Sequence, residues 1–139
     1  MKRGFEGDPT NKQEVFDFVY RYMTKQRRPA VESAELGGCR YRIISDGSVR
    51  ACAAGCLMSD ADYFKFMEDA LPLVTWGPIR PGADGISKYF GDRGFDLVFL
   101  RELQRAHDSS SFDVFVDDFQ CGMKEIAANH GLTIPTIED

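Results

Sequence analysis

Two histidines, one tryptophan and four cysteines are all that the 139-residue chain offers to the commonest catalytic and metal chemistries. With only His107 and His130 it cannot supply a His-Glu-x-x-His zinc site or a multi-histidine phosphohydrolase centre, although Asp108 follows His107. Phosphate-loop chemistry is missing too, because the glycine-flanked stretch from Gly85 to Gly91 lacks a Gly-Lys-Ser/Thr ending. No Gly-x-Gly-x-x-Gly or Gly-x-Ser-x-Gly follows a plausible strand. No apolar run approaches the roughly 20 residues of a spanning helix, so no membrane association is expected. Positive charge is in deficit, with 17 Lys and Arg against 22 Asp and Glu. The net charge of −5 argues against broad attraction to nucleic acid or anionic lipid, while leaving room for a local basic patch. Glu6 and Asp8 interrupt the start where a signal peptide would be apolar, so the cytoplasm is the expected compartment and reduced thiols the expected state of the cysteines.

What the chain has is apolar bulk. Hydrophobic residues make up 43%, including eleven Phe and five Tyr, enough for one core without disulfide or metal staples. No repeat or linker divides it, and residues 1–139 read as a single domain. A first helix is expected from a Thr10/Gln13 capping box to about Gln26, with Val15, Phe18, Val19 and Tyr22 as its core stripe and Phe16 and Met23 widening it. A second is signalled at Ser59 and ends at Pro72. Residues 72–95 hold three prolines and five glycines and read as an irregular loop of the kind that carries function. A third helix spans roughly Asp96 to His107, and a fourth runs from a Ser110/Asp113 capping box to Gly131. Gly122 weakens its middle. The tail, 133–139, reads as frayed.

Between the first two helices, Cys39 to Gly55 reads as a β-hairpin turning at Ser45-Asp46-Gly47. Its apolar positions are odd on both arms, which favours a three-residue loop that pairs 43 with 49 and 41 with 51. That register collects Arg40, Arg42 and Arg50 on the opposite face. The expected fold is therefore α+β, with about four helices packed around a central β-hairpin or small antiparallel sheet.

The arginine face is the leading candidate site, since guanidiniums in an acidic protein either pair with its own carboxylates or bind an anion. Trp76, on the irregular loop, is a candidate contact residue. His107 joins these as a binding residue and, with His130, as the available base for a cysteine nucleophile. Cys39, Cys52 and Cys56 form a metal alternative, but only Cys52 and Cys56 have a tight spacing, so no metal and no cofactor is expected.

The residues Cys39-Arg40-Tyr41-Arg42, Asp46-Gly47, Cys52-Ala53-Ala54-Gly55-Cys56-Leu57, Asp60, Leu103-Gln104 and His107-Asp108 resemble a pattern in small uncharacterised proteins of tailed phages and prophages. The likeness spans most of the chain, and it departs at Ser59, where the group has a Leu-Ile-Pro-Asp-like stretch. The group carries no established activity, so the resemblance transfers no catalytic residue. It implies an accessory protein that binds and modulates or inhibits a host protein, such as a defence factor, without catalysis. The alternative expectation is capture of a small anionic ligand or nucleotide at the arginine face.

Overall fold

A computed structural model describes residues 4–27, 42–45, 48–51, 53–59, 61, 86–111 and 113–137, with backbone alone for the two strands and for residues 86 and 87. In chain order these form helix α1 (Lys12–Gln26), strands β1 (Arg42–Ser45) and β2 (Ser48–Ala51), a 3₁₀ turn (Gly55–Leu57), and helices α2 (Ile86–Asp92), α3 (Leu97–Asp108) and α4 (Phe115–His130). The expected second helix, from Ser59 to Pro72, lies almost wholly outside the described residues, as does most of the 72–95 loop.

The described residues are mainly helical, which corrects the α+β expectation. Among the described residues every core side chain lies on a helix, on the 3₁₀ turn or on the residues flanking that turn. The packing runs through α3 against α4, α1 against α4 and α3, and α2 against α3. Phe16, Met23, Leu103, Phe119 and Met123 are completely buried at these contacts. The hairpin is a two-stranded ribbon of four-residue strands. Such a ribbon offers little apolar area and is marginal alone, whereas amphipathic helices carrying Phe, Leu and Met have far more surface to remove from water. The larger surface sets the centre of the molecule.

The hairpin register also differs from the expected one. Arg42 pairs with Ala51, Ile43 with Arg50, Ile44 with Val49 and Ser45 with Ser48. Two residues, Asp46 and Gly47, separate the strands, the loop length that an Asp-Gly pair favours. This pairing does not gather the apolar residues of the odd positions on one face. Directly paired positions share a face, so Arg42 falls with Ile44, Val49 and Ala51, and Arg50 with Ile43, Ser45 and Ser48.

Helix α1 is capped by Asn11, whose side chain accepts from the Glu14 amide at 3.2 Å. Thr10, the expected cap, instead turns back on Asp8, donating from its amide (2.9 Å) and its hydroxyl (2.7 Å) to the same carboxylate oxygen. Those bonds, the hydroxyl's first, hold the Asp8 carboxyl below its ordinary value of 3.8. Its core stripe is Val15, Phe16, Val19, Tyr20 and Met23, so the apolar face is rotated from the expected one and Phe18 and Tyr22 sit at its half-buried edge.

Helix α2 occupies the end of the stretch expected to be irregular. The seven-residue element contains Gly91 and is secured by tertiary contact: Phe90 is fully buried, edge-on to Tyr89 and Phe95 at 5.0 and 5.2 Å. Helix α3 starts at Asp96, whose side chain accepts from the Phe99 amide at 3.1 Å. The anticipated Ser110/Asp113 box does not form. Ser110 Oγ donates to the Ala106 carbonyl at 2.6 Å, and Asp118 accepts from the Ser111 amide at 2.9 Å. Gly122 stands where α4 crosses α3, and a Cβ there would lie 3.3 Å from that of Ala106, so close approach of the helices offsets its weak helix propensity. Gly131, at φ 68°, ends α4 as anticipated.

The described tail is docked, not frayed. Gln13 grips Thr133 twice, its amide nitrogen donating to the Thr133 carbonyl and its oxygen accepting from the Thr133 amide, both at 2.9 Å. Leu132 and Ile137 pack against the core.

Candidate functional site

The residues expected from sequence to form a site are not brought together among the described residues. Arg40, Trp76, Cys39 and Cys52 lie outside them. Arg42 and Arg50 take register positions on opposite faces of the ribbon, so the pairing removes the shared face on which the anion reading rested. His107 has no exposed surface, and its ring packs edge-on against Phe115 at 5.5 Å, where no partner at the surface can meet it. Cys56 is buried, its thiol donating to the Ala53 carbonyl at 3.1 Å. Among the described residues no group of three His, Cys, Asp or Glu is placed to hold a metal ion.

The structure does join the two halves of the sequence pattern. The Ala54 amide donates to Gln104 Oε1 at 3.0 Å, Gln104 Nε2 donates to Asp108 Oδ1 at 2.8 Å, and His107 Nδ1 lies 3.0 Å from that same oxygen. This relay fastens the residues after the hairpin to α3, and it explains the Ala53-to-Cys56 and Gln104-to-Asp108 segments as a structural clasp. Ala54 is 1% exposed, so its amide has no water to turn to. Gln104→Leu, which keeps the bulk and removes the acceptor, is expected to lower stability by about 1–3 kcal/mol, read as a shift of the urea midpoint at unchanged slope.

The surface with binding geometry lies elsewhere, along α1. Residues spaced three and four apart turn one stripe of this helix outward: Glu14, Asp17, Phe18, Arg21, Tyr22 and Lys25. The segment Gly4 to Gly7 runs beside that stripe and completes a groove of about 560 Å³. Phe5 is its wall. The Phe5 amide donates to the Leu57 carbonyl at 3.0 Å, and the ring meets Phe18 edge-on at 5.6 Å and Phe95 at 5.8 Å. Phe18 and Tyr22 stack at 6.1 Å and continue the aromatic surface down the helix. Gly4 is required by the approach, because a Cβ there would fall 2.4 Å from Leu57 O and 2.5 Å from Met58 C.

Charge is graded along this groove. Glu6, Glu14 and Asp17 lie toward its α1 N-terminal end, and Arg21 and Lys25 toward the other. Each sign faces the end of the helix dipole that favours it. The lining presents aromatic faces, carboxylates, a guanidinium and an ammonium.

A second, smaller cleft of about 270 Å³ runs along the outside of the α3–α4 crossing, with Ala106, Gly122 and Ile126 at its floor and a rim that includes Glu102, Arg105 and Glu125. Glu102 is engaged at 2.6 Å with His130, whose ring rests edge-on against Phe99 at 5.0 Å. That pair ties the two helices together.

Sequence reasoning missed the groove because Phe18 and Tyr22 were assigned to the core stripe. The available signal was Phe5, an isolated aromatic among Gly4, Glu6 and Gly7. No protein-family model, curated protein or solved structure matches the chain, and the phage origin and inhibitory role implied by the resemblance draw no support from these comparisons.

Proposed function

We propose that this chain works by binding a segment of another protein in the aromatic groove along α1, without turning it over. The observation that carries this reading is the continuous Phe5, Phe18 and Tyr22 surface, bordered by charged side chains of both signs. Aromatic residues supply large, stiff contact area at low entropic cost and are concentrated at binding hot spots. A groove of this size falls in the range that encloses a ligand or a short peptide side-chain cluster. The net charge of −5 speaks against a nucleic-acid occupant, and no described helix is long and apolar enough to cross a membrane.

A random peptide library displayed against the immobilised protein tests the reading. Enriched peptides should bind the wild type and lose about 30-fold in affinity on Tyr22→Ala, the equivalent of about 2 kcal/mol for a truncated hot spot. Circular dichroism and thermal melting of the variant verify that it stays folded. No enriched sequence, or equal binding to wild type and Tyr22→Ala, would overturn the proposal.

A further inference from the structure

The charge gradient of the groove restricts what its occupant can be. We infer that the groove takes a segment with a cationic residue at one end, an apolar or aromatic residue in the middle and an acidic residue at the other. This rests on the groove reading above. The cationic group lies over Glu14 and Asp17, the apolar side chain against Phe18 and Tyr22, and the carboxylate over Arg21 and Lys25.

Three alternatives of simpler chemistry are disfavoured by the same side chains. A phosphate or other bare anion drawn to Arg21 and Lys25 meets the Asp17 carboxylate one helical turn from Arg21. A bare cation drawn to the carboxylates meets the opposite obstacle. A wholly apolar segment would desolvate charges of both signs and return nothing to them. An occupant carrying both charges in that order pairs each end, adding to the bonds that Asp17 accepts from Gln13 Nε2 at 2.7 Å and that Arg21 Nε donates to the Thr136 carbonyl at 3.4 Å.

Spacing sets its length. Along α1, the midpoint of Glu14 and Asp17 is separated from that of Arg21 and Lys25 by about 11 Å at 1.5 Å per residue. An extended chain covers that distance in about three to four residues. The occupant's cationic and acidic residues are therefore three or four apart, with the apolar anchor between them. Electrostatic arrangement of this kind fixes direction and register more than it adds affinity.

The test is the library selection performed in parallel on the wild type and on the Arg21→Glu/Lys25→Glu double variant, both positions being exposed. Wild-type winners should carry a Lys or Arg and an Asp or Glu three or four residues apart around an apolar residue. Winners from the double variant should lose the acidic residue and gain a basic one in its place. A synthetic wild-type winner should weaken about two- to fivefold when its acidic residue becomes the amide, as befits a rim charge, and this loss should vanish on the double variant. Winners that lose affinity on Tyr22→Ala yet show no charge order, or an order unchanged by the double substitution, would overturn this inference and leave the groove standing. Failure of any sequence to enrich on the wild type would overturn both.

Discussion

Phe119→Ala is expected to remove about 3–5 kcal/mol of stability, from a total that for such domains is about 5–15 kcal/mol. Phe119 has no exposed surface and stacks on Phe115 at 5.4 Å with an interplanar angle of 19°. Its helix is the one that touches both α1 and α3, so the cavity opens where the three helices meet, and each is held there by side chains on several sides. Collapse into the void requires a helix to move, and the helices resist moving because Gly122 already sits against Ala106. Urea unfolding followed by circular dichroism measures the loss. Phe119→Met, which nearly conserves volume, should cost less than about 1.5 kcal/mol. A loss below about 1 kcal/mol for the alanine variant would mean that α4 does not pack as described.

The sequence carried the helices better than it carried their arrangement. Leu100 and Leu103, and Phe115, Phe119, Met123 and Ile126, recur at helical spacing and are all buried, so α3 and α4 were legible from periodicity. Caps were less so. Asn11 and Thr10 are adjacent residues with similar capping chemistry, and what decides between them is a local turn in which Thr10 bonds back to Asp8, a choice that capping preference alone does not reveal. The antiparallel pairing of the two strands was legible, but not its register, because apolar alternation favoured pairing 43 with 49 and the strands pair Ile43 with Arg50 instead. Its place in the fold was not legible, because local pattern says nothing about which apolar surface captures the centre. Helix α2 was hidden by the density of glycine in its stretch, but of these only Gly91 lies inside it, where the burial of Phe90 offsets its weak propensity, and Gly94, at φ 93°, follows its end. The groove was hidden for a related reason: an aromatic at the margin of a core stripe and one lining a groove have the same spacing, and only the placement of Phe5 distinguishes them.

Gly4→Ala is expected to detach that wall. The added methyl would meet Leu57 O at 2.4 Å, Met58 C at 2.5 Å and Ser59 N at 2.5 Å, all backbone atoms with no rotamer by which to escape. One side must move. The turn is held by the Gln104 clasp, by the Leu57 amide on the Ala54 carbonyl at 3.1 Å, and by the burial of Cys56, Leu57 and Met58. The segment Gly4 to Gly7 is less buried than the turn and gives way. With it go the bond from Phe5 to Leu57 and two aromatic contacts, each worth about 0.5–1.5 kcal/mol. Freedom regained by the released residues offsets part of that, leaving a net cost of about 2 kcal/mol. Amide hydrogen exchange separates this local loss from a global one: the Phe5 amide should lose its protection while the amides of α3 and α4 keep theirs. Peptides selected on the wild-type groove should lose affinity together with that protection, and Phe5→Ala should lose affinity with the Leu57 bond intact. A Gly4→Ala protein that still protects the Phe5 amide and still binds would show that the groove does not depend on this wall.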